Sequence, residues 1–241
     1  MKGRRIELSK IGDVQIKLHR QPQGTIKTCT IAAKNGRYYA CLSYEGEAQP
    51  LEQTHRHVGV DLGVKHLAVT SDGQFFAAPK YLRQSEAKLK KQQHAVSRKQ
   101  RGSNRRRKAV KLLARQHERV ANKRKDYAHK VSRTLVNRYD TIVFEDLNIQ
   151  AMGKNHALAK SIADSGWNGL VHYVTYKAES AGRRIIQVDP YLTSQICSGC
   201  SEIVKKPLAV RIHWCPHCGT TLDRDVNAAR NILARARLQV S

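Results

Sequence analysis

Val58-Gly59-Val60-Asp61-Leu62-Gly63 is a short apolar run with a carboxylate at its centre. Thr141-Ile142-Val143-Phe144-Glu145 repeats the pattern, a β-rich run of the kind found in buried parallel strands, ending in an acid. A third acid, Asp225, opens the Ala- and Arg-rich helical stretch 225–236. Acids are scarce, 19 against 44 Lys and Arg, so their positions carry information. Burying an unpaired carboxylate is costly, and ionised carboxylates placed together repel. A divalent cation relieves both. Two such ions roughly 3.5–4 Å apart would activate a water and stabilise the leaving oxygen in phosphodiester cleavage. A strand-end acid can equally be a helix cap or a surface residue, and the residue pattern alone leaves that open.

Working outward, a second strand is read at Leu67–Thr70, a turn at Ser71-Asp72-Gly73-Gln74 and a third strand over 75–78, which with the first form a meander. The period then changes to a helical one. Leu82, Leu89 and Val96 recur every seven residues, and after a break at Gly102-Ser103-Asn104 the positions Leu113, Val120, Tyr127, Val131 and Leu135 continue. These are two long helices with thin apolar stripes and wide basic faces. A helix is expected over 165–181, with Trp167, Tyr173 and Tyr176 read as core, and a strand over Arg184–Val188. Toward the N-terminus, Val14–Leu18, Ile26–Ile31 and Tyr38–Leu42 alternate like antiparallel strands with one buried face, part of a small barrel, separated by turns at Gly12-Asp13, Pro22-Gln23-Gly24 and Asn35-Gly36. Cys29 and Cys41 there are read as buried thiols. A polar linker containing Pro50 follows over 45–57. Strands first, then strand–helix alternation, give a mixed α/β core.

The formal charge is +25, and its location matters more than its size. Residues 80–138 hold 21 Lys and Arg against Glu86, Glu118 and Asp126, so +18 of the excess lies in that stretch. A solvated helix face would alternate its bases with Glu at i,i+4. This one barely does, which points to a polyanion partner. Lys90, Lys91, Arg98, Lys99, Arg101, Arg105, Arg106, Arg107 and Lys108 are the expected nucleic-acid contacts. Aromatics are only 6% of the chain and form no stacking-sheet pattern. The longest apolar runs are far short of the ~20 residues a membrane helix needs, and the basic N-terminus leads into no apolar leader, so a cytoplasmic location is expected.

Cys197-Ser198-Gly199-Cys200 and Cys215-Pro216-His217-Cys218 are two CxxC knuckles with 14 residues between them, the spacing of a four-cysteine zinc ribbon. Four thiolates close the shell of the metal, so such a zinc is structural. His213 and His217 are alternative ligands of lower rank.

The run 58–65, the segment Ile142-Val143-Phe144-Glu145-Asp146-Leu147-Asn148, and Asp223-Arg224-Asp225-Val226-Asn227-Ala228-Ala229-Arg230-Asn231-Ile232-Leu233 together resemble the three split RuvC motifs of the TnpB family of transposon-encoded, RNA-guided DNA endonucleases, relatives of the type V CRISPR effectors. The likeness runs over 6–233, with the helical pair, Thr193-Ser194-Gln195 and the cysteine region in family order. It implies an RNase H-like (RuvC) α/β nuclease core with an inserted basic helical hairpin over 80–138 and a zinc ribbon, preceded by a partial, wedge-like antiparallel β segment. The implied domains are 1–55 (wedge-like), 56–190 (first and second motifs), 191–220 (ribbon) and 221–241 (third motif and last helix). The implied catalytic and magnesium-binding triad is Asp61, Glu145 and Asp225, with two ions; Cys197, Cys200, Cys215 and Cys218 would hold one zinc. Asp146 should point to the opposite face of its strand, and Asp223 should cap the last helix. Arg224 would contact a phosphate or pair with a neighbouring acid. Ser201 departs from the Gly often found after the first knuckle. The implied partners are DNA and a guide RNA, although family members carry a longer N-terminal part than the segment 1–55. The rival expectations are a non-cleaving nucleic-acid-binding regulator and a truncated accessory fragment.

Overall fold

A computed structural model describes residues 4–19, 21–22, 24–48, 50–148, 152, 156–207 and 209–238. The expected turn residue Gln23, the basic start at Met1 and the end of the last segment at 239–241 lie outside them. The chain divides into two compact units, Met1–Ala48 and Gln49–Ser241.

The first unit holds two antiparallel hairpins, β1 (Arg5–Leu8) with β2 (Gly12–Gln15), and β3 (Thr25–Lys34) with β4 (Arg37–Glu45). The expected single buried face is present only in part: Val14, Ile16 and Leu18 are half-buried between exposed neighbours and Ile6 is buried, whereas β3 and β4 lack it. Along β3 and β4 only Cys29 and Leu42 escape full exposure, and Cys41 is an exposed thiol rather than a buried one. The reason is layering: a two-stranded ribbon has no second layer of its own to bury against.

The second unit is built on a five-stranded sheet of order β7-β6-β5-β8-β9, from β5 (His57–Asp61), β6 (His66–Thr70), β7 (Phe75–Ala77), β8 (Thr141–Glu145) and β9 (Arg184–Val188). The first three strands form the expected antiparallel meander, and β8 and β9 join parallel to β5. Helices α1 (Tyr81–Ser97) and α2 (Asn104–Arg138) follow the meander and pack on each other. Ser103 begins α2 as its cap, its hydroxyl accepting the Arg106 N–H at 3.1 Å. Between β8 and β9 lie α3 (His156–Ser165) and α4 (Trp167–Ser180). The helix read over 165–181 is α4, and α3 before it was not expected; the two are parted at Gly166, whose φ of +67° is a left-handed conformation suited to glycine. Trp167 is core as read, but Tyr176 is exposed, because the buried stripe of α4 runs through Trp167, Leu170, Val174, Lys177 and Ala178.

Period-2 alternation then sorts the sheet residues to two faces. Val58, Val60, Ile142 and Phe144 pack with the C-terminal half of α2 and with α4 in one core. Val143 and Val188 face the other way, against Ile232 and Ala236 of α5 (Arg224–Leu238). Helix α5 crosses β5 at Gly59, where an added Cβ would collide with the Ala229 carbonyl and come within 2.7 Å of the Leu233 nitrogen. Glycine there permits the close backbone approach.

Candidate active site and metal centre

Alternation that buries Val60 and Phe144 on one face sends Asp61 and Glu145 to the other. Since Val60 is the partner of Phe144 in parallel register, the two acids end adjacent strands side by side. Helix α5 lies on that same face and carries Asp225 in its first turn. Burial, then the charge of Glu145, then that of Asp225 drive the Asp61 carboxyl well above the ordinary range, only partly opposed by the Arg224 guanidinium. Three carboxylates from three elements therefore share one electrostatic environment. Asp146, one residue on, lies beyond the end of β8 and is exposed.

The flanking groups explain how the acids are held. The Thr193 hydroxyl donates to Glu145 Oε1, and Thr193 itself is 4% exposed. Burial raises the Glu145 carboxyl, while the Thr193 hydrogen bond and the charge of Arg235 pull it down. Arg235 also donates to the carbonyls of Asp189 and Tyr191. Arg211 pairs with Asp225 at 3.6 Å. Asp223 caps α5: its Oδ1 accepts from the N–H groups of Asp225 (2.8 Å) and Val226 (3.4 Å). Arg224 is buried and donates to the Pro207 carbonyl.

Two buried asparagines one turn apart on α5 join this centre to the cysteines. Asn227 Nδ2 donates to the Ile196 carbonyl at 2.7 Å, and its Oδ1 accepts from the Ser198 N–H at 2.9 Å. Asn231 Nδ2 donates to the carbonyls of Thr193 (2.8 Å) and Ile196 (2.7 Å). Sequence reading gave Asn227, Asn231, Arg211 and Arg235 no role. The available signal was the placing of two asparagines at i and i+4 inside a helix, where asparagine is unfavourable unless its amide has work elsewhere.

Cys197, Cys200, Cys215 and Cys218 bring their sulfurs within 4.8 Å of one another, and among the described residues they are the one group of three or more His, Cys, Asp or Glu ligand atoms that converges this closely. Cys197 to Cys218 and Cys200 to Cys215 are each 3.6 Å, too long for a disulfide and close to the ~3.8 Å edge of a tetrahedron with 2.3 Å metal–sulfur bonds. The donor set fits zinc. The second knuckle is set on a hairpin of β10 (Ile212–Trp214) and β11 (Thr221–Asp223), which leads directly into α5. His213 is fully buried against Lys206 and stands outside the cysteine cluster. The two knuckles share one local geometry: Ser201 N donates to the Cys197 carbonyl and Gly219 N to the Cys215 carbonyl, both at 2.9 Å. Gly219 has φ +73° and Ser201 φ +65°. A side chain in that conformation costs roughly 1–2 kcal/mol. Ser201→Gly should therefore stabilise the ribbon by about 1 kcal/mol, measured as slower metal loss to a chelator; faster loss would contradict it.

The basic residues are placed differently. Lys90 and Lys91 lie on α1, Arg98, Lys99 and Arg101 in the turn, and Arg105, Arg106, Arg107 and Lys108 on the first turns of α2. All but Lys99 and Arg106 are fully exposed. They form a charged surface around one helical turn rather than an enclosed site.

This architecture defines a class. The mixed α/β fold is shared with a chain in the cryo-EM structure of a Cas12f1–sgRNA–target DNA complex, at TM-score 0.56 and 15% identity over 84% of this chain and 55% of that one. The sequence narrows the class further. Residues 40–156 match the OrfB_IS605 family, described as probable transposase, and residues 167–232 match the Cas12f1-like TNB domain. A putative RNA-guided DNA endonuclease of Streptomyces pristinaespiralis is 39% identical over 88% of this chain and 54% of its own length. The putative RNA-guided DNA endonuclease InsQ of Escherichia coli K12 is 34% identical over 95% and 61%. TnpB-like protein L79 of Acanthamoeba polyphaga mimivirus is 36% identical over 54% and 26%. The chain is a relative of the TnpB-like proteins, and it spans between about half and three-fifths of the length of the first two. Among the described residues no helix is long and apolar enough to cross a membrane.

Proposed function

We propose that this chain is the RuvC-type nuclease part of a TnpB-like, RNA-guided DNA endonuclease, hydrolysing phosphodiester bonds with magnesium held by Asp61, Glu145 and Asp225. The observation that carries the reading is the adjacency of Asp61 and Glu145 on parallel strands, with Asp225 across from them on α5. Charges packed this way are unfavourable alone and fit a hard divalent cation. When bound there, magnesium supplies Lewis acidity to a water and to the leaving oxygen. Thr193 holds the Glu145 carboxylate in orientation, and Arg211 holds Asp225.

In this proposal 56–190 and 221–241 form the RNase H-like core, 191–220 a zinc ribbon with one structural zinc on the four cysteines, 1–55 a wedge-like segment, and 80–138 an inserted basic hairpin that grips nucleic acid. DNA is the substrate and a guide RNA the source of sequence selection, because phosphate contacts position a strand without reading it. The test is cleavage of single- and double-stranded DNA by the purified chain in magnesium, with and without its co-purified RNA. Cutting supports the reading; tight binding without cutting would instead support a nucleic-acid-binding regulator.

The hairpin's role has its own signature. Log affinity for duplex DNA should fall against log salt by about 0.9 per phosphate neutralised. Replacing Arg105, Arg106 and Arg107 with Gln should flatten that slope by roughly 2–3. An unchanged slope in a salt titration would move the grip elsewhere.

A further inference from the structure

A cavity of about 250 Å³ lies apart from the carboxylates, enclosed by the loop after β5, the approach to α1, the middle of α2 and the end of α3. Its wall combines apolar surface with two half-buried tyrosines, Tyr81 and Tyr127, and its rim carries Lys65, Lys80 and Arg83. One acid, Asp164, also faces it, but that carboxylate is already engaged. Both of its oxygens accept the Leu82 N–H at 3.2 Å, and Arg124 stands 3.8 Å away. Lys160 is likewise held by Glu86 at 2.7 Å. Among the described residues no carboxylate pairs with Lys65, Lys80 or Arg83. The pocket is therefore net cationic at its rim and aromatic within.

Two further features bear on its ligand. Lys80 has φ +50° and ψ +43°, left-handed backbone for a side-chain-bearing residue, and it contributes no side-chain cap to α1. Such strain costs on the order of 1 kcal/mol and is retained where the surroundings require that placement. Tyr81 and Tyr127 both line this pocket, and burial is the first cause that raises the Tyr127 phenol above its ordinary pKa. A bare anion would use the cations and leave the tyrosines unexplained. A cavity just below the ~300–1,000 Å³ of drug-sized sites suits one base with its sugar.

We infer that this pocket receives a single unstacked nucleotide of a single strand, its base against Tyr81 and Tyr127 and its phosphate on Lys65, Lys80 and Arg83. The proposal rests on the nucleic-acid reading above for the source of that nucleotide. Stacking on an aromatic side chain is sequence-tolerant and is worth about 5- to 150-fold in affinity per base.

The test irradiates the full chain, zinc retained and magnesium omitted, with single-stranded oligodeoxynucleotides or oligoribonucleotides carrying 5-iodouracil, and maps the cross-linked peptides. Cross-links should fall on Tyr81 or Tyr127 and be suppressed by excess deoxyadenosine monophosphate but not by inorganic phosphate. The arm that cross-links identifies the strand as DNA or RNA. Tyr81→Ala should lower oligonucleotide affinity within that 5- to 150-fold range, and Tyr81→Phe should restore it. Lys80→Gly gives a readout that a structural role would not: affinity falls severalfold while the melting temperature stays level or rises, because glycine relieves the left-handed φ. No cross-link at either tyrosine in both arms, or equal competition by inorganic phosphate, would overturn the proposal. Cleavage by the same preparation after magnesium is added is scored separately. Cross-linking without cleavage sinks the nuclease reading alone, and cleavage without cross-linking sinks the pocket alone.

Discussion

Stripping the metal from the purified chain should unfold the segment around Cys197–Cys218 and abolish DNA cleavage with it. Structural zinc contributes an apparent ~10–16 kcal/mol in small zinc modules, far more than the two short strands of this hairpin supply. The loss should spread because the cysteine segment is tied into the carboxylate centre. Ile196 and Ser198, beside the first knuckle, are held by Asn227 and Asn231 of α5, and Asn231 also holds the Thr193 carbonyl. Thr193 in turn orients Glu145, and Asp225 follows the ribbon's last strand by two residues. Elemental analysis should give about one zinc per chain. After chelation, all four thiols should become reactive, and hydrogen exchange should accelerate through the ribbon and the start of α5. A chain without zinc, or with full thiol protection after chelation, would contradict this.

That coupling was not legible in the sequence, whereas the acids were. Asp61 and Glu145 could be placed because each ends an apolar run, and alternation along a strand fixes which face each takes. The choice of Asp225 over Asp223 rests on the resemblance to the third motif, and the structure places Asp223 as the cap of α5. What sequence did not yield were partners distant along the chain: Arg211 to Asp225 spans 14 residues and Thr193 to Glu145 spans 48. Neither has any periodicity to betray it. Helix α3, ahead of the expected helix and parted from it by the left-handed Gly166, was not read either. In the first unit, alternation marked β3 and β4 but predicted a buried face that they lack, because a pattern shows what an element can bury and not whether a second layer is present; the expected turn at Gly12-Asp13 falls inside β2.

Replacing Asp61, Glu145 or Asp225 with Ala should cut magnesium-dependent cleavage by roughly a thousandfold or more, the consequence of losing several kcal/mol of transition-state stabilisation. The same centre predicts an opposite effect on stability. The Asp61 carboxyl is raised in the folded chain by burial and by Glu145 and Asp225, and Glu145 is raised by burial. Between the unfolded value, about 3.9 for Asp, and the raised folded value, the native state holds more protons than the unfolded state. With zinc retained and magnesium absent, stability should therefore fall as pH rises through that window and remain low above it. Asp61→Asn removes the charge that burial and two neighbours oppose, so under the same conditions at neutral pH it should melt above the wild type. Magnesium should raise the wild-type melting temperature and leave that of Asp61→Asn nearly unmoved.

The most direct test of the carboxylate centre is one magnesium titration of wild type and Asp61→Asn, following cleavage of labelled DNA and melting temperature on the same samples. The account predicts that magnesium confers both cleavage and stabilisation on the wild type and neither on Asp61→Asn, which starts the more stable of the two. Undiminished cleavage by Asp61→Asn would contradict it.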